Sequence, residues 1–351
     1  MLSNLPFSYL FFFMMVFGTV FSMSSMHWLG IWVGLEMNLI GFLPILVYQK
    51  GMLNSEAAVK YLIVQAIGSS FLVFGSLIMY NVSSSWEILS LMSFKYFFVS
   101  VLFIIGSLLM KMGVFPFHFW FPSVMGSLPW LSCLLLVTWQ KLAPVFLVGV
   151  MMEISNMLWL IVLVCVMSYG SAMVGGIGGM NQSQVRGLLA YSSIGHMGWI
   201  VFAVCHSYHS MKVYFFIYII ISLCLFFVLW YLDSSLMVNL NSSVKGLFVD
   251  LSVIVLLLSL GGLPPLLGFI GKWNVFMSIM NSSMSVFVFF LILSSVMSLF
   301  YYLGLFFTFV LKVFSSTNDE LFGGFSFAKL ILLVNFFGGW FMIVFDVFEF
   351  I

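Results

Sequence analysis

Long apolar segments separated by short polar stretches follow one another along the chain from end to end. Each segment approaches the roughly 20 helical residues that cross the hydrocarbon core of a bilayer. The segments are apolar on all sides and lack the period-two alternation of a membrane β-strand, which predicts helices. We therefore predict an all-α polytopic membrane protein with about eleven transmembrane helices, at residues 5–23, 28–48, 58–80, 95–121, 128–151, 157–179, 187–206, 212–233, 249–280, 284–312 and 327–345.

The composition supports a membrane protein and argues against several other classes. Hydrophobic residues make up 64% of the 351 residues and charged residues only 6%, which leaves too little polar surface for a water-soluble globule. The net charge is +1 and the basic residues do not cluster, so we expect no nucleic-acid partner. No glycine-rich phosphate-binding motif opens a helix after a strand, so we expect no bound nucleotide or flavin.

Three lysines inside the apolar segments are the main anomaly of the pattern: Lys111, Lys141 and Lys272. A lysine at the centre of a membrane helix costs roughly 3 kcal/mol, so these side chains need a partner or a wet cavity. One acid, Glu36 in the second span, is available to pair with them. A static ion pair that fixes helix packing is one interpretation, but three lysines for one acid make it incomplete. The other interpretation is a site that stores and releases protons.

Prolines close to two of these lysines predict interrupted helices. Pro116 follows Lys111 in the fourth span, and Pro264 and Pro265 precede Lys272 in the ninth. Proline removes a backbone donor and clashes with the preceding turn, so both helices should break or at least kink. The freed carbonyl groups then need polar partners away from lipid.

The matching rank of the two interrupted spans predicts inverted repeats of the transporter type. Spans one to five, about residues 1–151, would form the first repeat, and residues 157–312 the second, followed by a C-terminal helix at 327–345. Because five is odd, the second repeat would enter the membrane from the opposite face. No linker separates two cores, so we predict a single transmembrane domain over 1–351.

Basic residues between the spans predict the orientation. With the N-terminus inside, six basic residues lie inside and two outside, which favours this topology by the positive-inside rule. The inside set is Lys50, Lys60, Arg186, Lys245, Lys312 and Lys329, and the outside set is Lys95 and Lys212.

The four cysteines are scattered singly along the apolar segments, at positions 133, 165, 205 and 224. None has the close spacing of iron–sulfur or zinc ligands, and the set does not suggest a disulfide framework. We interpret them as small hydrophobic residues.

Six blocks of the sequence resemble a known family in content and in order. They are "WVGLEMNLIGFLP", "EAAVKYLIVQA", "LLMKMGVFPFHFWFPSVM", "VTWQKLAP", "GGMNQSQVRGLLAYSSIGHMGW" and "GGLPPLLGFIGKW", running from Trp32 to Trp273. These blocks resemble the signatures of the NADH–ubiquinone oxidoreductase chain 2 family, the antiporter-like membrane subunits of respiratory complex I.

The resemblance implies a function and a set of site residues. Glu36 and Lys111 match the family's proton-translocation pair, Lys141 its central lysine and Lys272 the lysine of the second broken helix, while His118 would lie along the hydrated axis. It also implies a core membrane-arm subunit of complex I in the mitochondrial inner membrane. NADH, flavin, iron–sulfur clusters and ubiquinone would belong to partner subunits, and this chain would bind no cofactor. Its partners would be other membrane-arm subunits and membrane lipids.

The sequence departs from the family pattern at three positions. Ser123 stands where many relatives have an acid, Gly187 where a lysine commonly follows the arginine, and Gly271 where a proline is common before the lysine. The first departure could change proton entry near the fourth span, and the third would soften the second break.

Two other assignments and one further residue remain open. A subunit of a cation/proton antiporter would use the same buried charges, whereas a structural spacer would explain the hydrophobicity but not the three lysines. His196 in the seventh span could extend a proton wire, or its ring could simply bond a backbone carbonyl.

Overall fold

The structure is a computed structural model that describes residues 7–48, 51–88, 98–155, 157–232, 247–264, 266–279, 285–315 and 326–349. In these ranges the regular structure is helical, apart from an isolated bridge between His27 and Glu87. The prediction of an all-α protein is therefore confirmed. Lys50, Lys95 and Lys245 lie outside the described residues, and the predicted orientation stays a prediction.

Fourteen helices are present in the described part of the chain. They are α1 (Ser8–Ser24), α2 (Trp28–Val47), α3 (Met52–Ser83), α4 (Phe98–Met112), α5 (Trp120–Ser127), α6 (Trp130–Val137), α7 (Trp139–Ser155), α8 (Leu158–Met180), α9 (Val185–His206), α10 (Tyr208–Leu232), α11 (Leu247–Gly261), α12 (Leu267–Ile279), α13 (Ser285–Ser315) and α14 (Ser326–Glu349).

These helices reproduce the eleven predicted spans. Seven apolar segments are long enough to cross a membrane, with α6 and α7 counted together, and α1, α4, α11 and α14 contribute shorter apolar helices. The larger number of helices arises because the fourth, fifth and ninth spans are interrupted. Large apolar side chains cover much of the outer surface, as lipid contact requires.

The chain divides into two compact units, Met1–Met167 and Ser168–Ile351, with the boundary inside α8. The predicted division into two repeats within a single membrane domain stays a prediction.

In the first unit, glycines let α1 and α2 pack backbone against backbone. A Cβ atom at Gly18 would lie 2.6 Å from the Asn38 nitrogen, and one at Gly41 would lie 2.8 Å from the Met15 nitrogen. Small residues at such contacts are typical of membrane helix pairs, which associate by close van der Waals packing. The contact holds α2, the helix that carries Glu36, firmly against α1.

Helix α4 ends at a glycine and not at the proline that follows. Gly113 adopts a left-handed φ of 73°, its N–H bonds the Met110 carbonyl at 3.2 Å, and the Val114 N–H bonds the Leu109 carbonyl at 3.1 Å. This pair of bonds is the Schellman motif that commonly ends helices at glycine. The predicted interruption is confirmed, but its immediate cause is Gly113, three residues before Pro116.

The ninth span is interrupted in the same way. Gly262 has a φ of 79°, its N–H bonds the Ser259 carbonyl at 3.0 Å, and the Leu263 N–H bonds the Leu258 carbonyl at 3.3 Å. Helix α11 therefore ends in a second Schellman motif just before Pro264. Pro265 lies outside the described residues.

A third interruption, at Thr138, is absent from the sequence-based prediction of a continuous fifth span. The Thr138 hydroxyl donates to the Leu134 carbonyl at 2.7 Å, and its backbone N–H bonds the same oxygen at 3.0 Å. A threonine that bonds back into its own helix commonly bends it. Helix α7 then begins at Trp139 and contains Pro144, which cannot donate to the Gln140 carbonyl. The break places Lys141 in the first turn of a new helix.

In the second unit, the glycines of α8 make room for aromatic rings and for α9. Gly178 lies against the ring of Tyr191, and a Cβ atom at Gly179 would lie 2.6 Å from Tyr301 Cε1. A Cβ atom at Gly175 would lie 2.6 Å from the Gly195 Cα atom. This close packing sets the position of the face of α9 that carries His196.

Candidate functional site

Lys111 lies in the last turn of α4, next to the first helix break. Its side chain is only 5% exposed and runs along Gly68 of α3, where a Cβ atom would lie 3.4 Å from Lys111 Cγ and 3.6 Å from Cε. The helix macrodipole places partial negative charge at the C-terminal end of α4, which stabilises a cation there. The missing side chain of Gly68 thus leaves the groove in which the lysine stem lies.

Glu36 lies near the middle of α2 and is half-buried. Its carboxylate attracts Lys111 electrostatically, yet neither Glu36 Oε1 nor Lys111 Nζ makes a hydrogen bond to the protein. This attraction agrees with the pairing of the acid and the lysine proposed from the sequence, which stays a prediction.

Lys141 in α7 is the most deeply buried of the three lysines, with 1% of its surface exposed. Its Nζ atom lies 4.5 Å from the centroid of the Phe121 ring in α5. A cation over an aromatic face is stabilised by the ring quadrupole, and the effect is larger where water is excluded. This lysine therefore has an aromatic neighbour from the interrupted fourth span.

His118 lies in the break between α4 and α5, in the same sequence block as Lys111. The ring is buried, and its centroid lies 4.0 Å from that of Phe119 and 6.1 Å from that of Phe115. Its Nδ1 atom makes no hydrogen bond to the protein. An imidazole nitrogen in this position has the chemistry needed to accept or donate a proton.

Lys272 in α12 occupies a related position in the second unit. Its Nζ atom donates a hydrogen bond to the Gly261 carbonyl at 2.8 Å. Gly261 is the last residue of α11. A Cβ atom at Gly262 would lie 2.8 Å from the same Nζ atom. Both Lys111 and Lys272 therefore lie at the C-terminal end of a half-helix that stops at a left-handed glycine.

Two small cavities in the second unit are both lined by His196, and one of them lies beside Lys272. The first has about 20 Å³ of space for water centres and is also lined by Lys272, Ser192 and Tyr302. The second has about 10 Å³ and is also lined by Tyr214, Ser259 and Gly271. Because one water needs roughly 10–15 Å³ by this measure, the first cavity has room for a water beside Lys272.

His196 has a side-chain partner that the sequence did not reveal. Its Nδ1 atom lies 2.9 Å from the Tyr214 hydroxyl in α10, so this nitrogen bonds a phenol and not the backbone carbonyl considered from the sequence. A Cβ atom at Gly271 would lie 2.9 Å from Tyr214 Cδ2. Nothing in the linear pattern indicates these contacts, because they join three different helices.

The three departures from the family pattern occupy different environments. Ser123 is exposed and its hydroxyl bonds the Trp120 carbonyl at 2.8 Å, a local bond within one helix turn. Gly187 is buried, with a Cβ atom there only 2.9 Å from Gln182 Oε1. Gly271 lies inside α12 and outside the break that follows Gly262, so it makes room for Tyr214 and does not soften the break.

Comparison with known proteins assigns the family. A family model described as NADH:quinone oxidoreductase/Mrp antiporter, TM, matches residues 25–298. The chain is 34% identical over 309 residues to NADH-ubiquinone oxidoreductase chain 2 of Locusta migratoria, covering 87% of this chain and 85% of that one. The chain belongs to the NADH-ubiquinone oxidoreductase chain 2 family. The relative of the same name from Paracentrotus lividus is 37% identical over 301 residues, with 85% and 83% covered.

Solved structures share the fold of this chain 2 family member. A chain of respiratory complex I from Thermus thermophilus with bound aureothin superposes with a TM-score of 0.77 at 24% identity, covering 93% of this chain and 75% of that one. A chain of the Mrp complex from Dietzia sp. DQ12-45-1b superposes with a TM-score of 0.74 at 16% identity, covering 85% and 59%. The predicted antiporter-like fold is confirmed.

Proposed function

We propose that this chain is a core membrane-arm subunit of respiratory complex I and takes part in proton translocation. The translocation is coupled to NADH oxidation by ubiquinone, which takes place in partner subunits. The chain is a multi-pass protein of the mitochondrial inner membrane. The observation that carries the proposal is that a member of this family holds three lysines in its apolar segments, each beside a helix interruption.

The proton path comprises Glu36, Lys111, His118, Lys141 and Lys272, with water between them. In the first unit, the attraction between Glu36 and Lys111 supports a coupled step. When one member of such a pair changes its charge, the other loses or regains a favourable partner, and its proton affinity changes. The protonation of one group is thereby linked to that of the next.

The surroundings of the lysines support repeated charging and discharging. Lys111 and Lys272 face helix C-terminal ends, which favour the charged form, while burial in an apolar environment favours the neutral form. Because the two effects oppose each other, a change of charge nearby can move the proton.

The chain contributes no redox centre of its own under this proposal. Its four cysteines lie on four separate helices, α6, α8, α9 and α10, which does not favour a shared iron–sulfur site. NADH, flavin, iron–sulfur clusters and ubiquinone would be bound by partner subunits. The partners of this chain are other membrane-arm subunits and membrane lipids, and its net charge of +1 without a basic cluster supports the absence of a nucleic-acid partner.

A subunit of a cation/proton antiporter is the second candidate, because the Mrp complex chain shares the fold. Both candidates use buried charges, so assembly discriminates between them. In a native gel of mildly solubilised membranes, complex I membership predicts migration in a very large band that oxidises NADH. Migration as a smaller species without NADH oxidation would favour the antiporter.

The variant Glu36→Gln tests the proton path. It keeps the shape of the side chain and removes its charge, so we expect an assembled complex that pumps fewer protons per NADH oxidised. The matched control is Glu56→Gln, because Glu56 is an exposed acid paired with Lys60 on the surface of α3. Wild-type pumping by an assembled Glu36→Gln complex would overturn the proposed path.

A further inference from the structure

The buried Asn38 amide and the half-buried Gln140 amide join α2 to α7 through a reciprocal pair of hydrogen bonds. Asn38 Nδ2 donates to Gln140 Oε1 at 3.0 Å, and Gln140 Nε2 donates to Asn38 Oδ1 at 3.1 Å. Each amide thus uses one donor and one acceptor on the other. The pair is close to the charged groups in sequence, since Asn38 is two residues after Glu36 and Gln140 directly precedes Lys141.

Tyr61 of α3 adds a third member to this pair. Its hydroxyl donates to the same Gln140 Oε1 atom at 3.2 Å. The ring is 2% exposed, with its centroid 5.4 Å from that of Phe42 and 5.8 Å from that of Trp120. These aromatic contacts hold the hydroxyl in place where α2, α3 and α7 meet.

Tyr61 also interacts electrostatically with Glu36. Glu36 Oε1 has no hydrogen bond to the protein. A hydrogen-bond donor turned toward this oxygen would therefore stabilise it. The other titratable groups on the elements around Tyr61 are Lys111 on α4, His118 in the following break, and Lys141 and Glu153 on α7, whereas α5 carries none. Glu36 is the acid that interacts with Tyr61, and a phenol donor would stabilise it when charged.

The donors and acceptors of Tyr61, Gln140 and Asn38 allow two arrangements of hydrogen bonds. An amide oxygen only accepts and a hydroxyl has one proton, so Tyr61 gives its proton to Gln140 in the arrangement observed. If both amides rotate by 180°, their two mutual bonds form again with nitrogen and oxygen exchanged. The Gln140 amino group then donates to the Tyr61 oxygen, and the phenol proton becomes free to point toward Glu36, directly or through one water.

The charge on Glu36 selects between these arrangements. A charged carboxylate favours the one in which Tyr61 donates toward it, because hydrogen bonds to a charged group are the stronger ones. A protonated Glu36 favours the observed arrangement, in which the phenol donates to Gln140. A change in the charge on Glu36 would therefore rotate both amide groups into the other arrangement.

We propose that Tyr61, Gln140 and Asn38 form a two-state switch of positioning residues that transmits the charge of Glu36 to the helix carrying Lys141. The switch rests on the proposed function, because it presupposes that Glu36 changes its protonation state during turnover. It adds a link between the acid and the central lysine that requires no direct contact between them. A purely structural clamp would hold α2 against α7 without responding to Glu36.

The variant Tyr61→Phe separates the switch from the clamp, because it removes the hydroxyl and keeps both the ring contacts and the amide pair. The assembled complex is studied in inner-membrane vesicles, with native-gel migration, protons pumped per NADH and the pH dependence of pumping as readouts. We expect normal assembly, reduced pumping and a shift of the pH dependence toward higher pH by about one unit, the size of one hydrogen bond to a charged group. Tyr80→Phe is the control, since Tyr80 lies on the same helix, is 39% exposed and stacks on Trp86, and we expect it to behave as wild type.

A second variant exchanges the two amides, as Asn38→Gln combined with Gln140→Asn. The exchange moves one methylene group from α7 to α2, which keeps the combined reach of the pair but draws the position-140 amide away from Tyr61. We expect it to assemble and to show the same shift of the pH dependence as Tyr61→Phe. A wild-type pH dependence and pumping ratio in either assembled variant would overturn the switch, and failure of both to assemble would identify a structural clamp and overturn it too. If Glu36→Gln abolishes pumping while Tyr61→Phe is silent, the proton path stands and only the switch fails.

Discussion

The ammonium group of Lys272 donates a hydrogen bond to the Gly261 carbonyl oxygen at 2.8 Å. This bond explains how a lysine is accommodated in the interior of the second unit, because a helix C-terminus presents carbonyl oxygens and partial negative charge. Lys111 lies at a similar helix end and is also attracted by Glu36, while Lys141 lies over the Phe121 ring. The three lysines are thus stabilised in three different ways, and one acid does not have to serve them all.

The first prediction concerns Gly262, which has a left-handed φ of 79° and lies against Lys272 Nζ. Gly262→Ala strains the backbone by roughly 1–2 kcal/mol and forces the lysine head away from the Gly261 carbonyl. We expect a lower unfolding temperature and fewer protons pumped per NADH. Gly304→Ala is the matched control, since a Cβ atom there meets nothing within 4 Å. Equal pumping by the two alanine variants would show that the position of Lys272 is unimportant.

The second prediction concerns the groove that Gly68 leaves for the side chain of Lys111. Gly68→Ala places its Cβ 3.4 Å from Lys111 Cγ, an ordinary contact distance, so we expect nearly wild-type pumping. Gly68→Leu fills the space of the lysine stem and displaces it, so pumping should fall, with overpacking adding about 1–3 kcal/mol of destabilisation. The measurement compares proton pumping per NADH in both assembled variants, and full pumping by the leucine variant would contradict the assigned role of Lys111.

The third prediction concerns the contact between His196 and Tyr214. Tyr214→Phe removes the partner of His196 Nδ1, and Gly271→Ala pushes the same ring through a Cβ atom 2.9 Å from Tyr214 Cδ2. Loss of one hydrogen bond lowers stability by about 1 kcal/mol in each variant, which a thermal melt of the assembled complex measures. Because both changes act on one contact, the double variant should be hardly worse than either single one. Additive losses would show that the two residues act separately.

The sequence pattern is sufficient for the spans, for two of the three helix breaks and for the buried lysines. The apolar runs and the prolines at 116, 264 and 265 can be seen directly, but the helix-ending role belongs to Gly113 and Gly262, because a glycine that ends a helix looks like any other glycine in an apolar run. The break at Thr138 was missed for a similar reason. A threonine that bonds back to its own helix leaves no trace in hydropathy.

The polar contacts between helices could not be predicted from one sequence. Asn38 and Gln140 are 102 positions apart, and His196 and Tyr214 face each other from two different helices. Their partners depend on which faces of α2 and α7 meet in the first unit, and which faces of α9 and α10 meet in the second. The family resemblance supplied the candidate residues Glu36, Lys111, Lys141 and Lys272, but not the groups that position them.

The central claim is that protons pass through this subunit by way of the buried lysines, and Lys141→Ala tests it most directly. The change removes the deepest of the three charged groups, and Lys60→Ala is the control because Lys60 forms a surface ion pair with Glu56. The measurement is the number of protons pumped per NADH oxidised in vesicles whose complex migrates normally on a native gel. We predict a reduced ratio for Lys141→Ala and a wild-type ratio for Lys60→Ala. An unchanged ratio in a fully assembled Lys141→Ala complex would contradict the account.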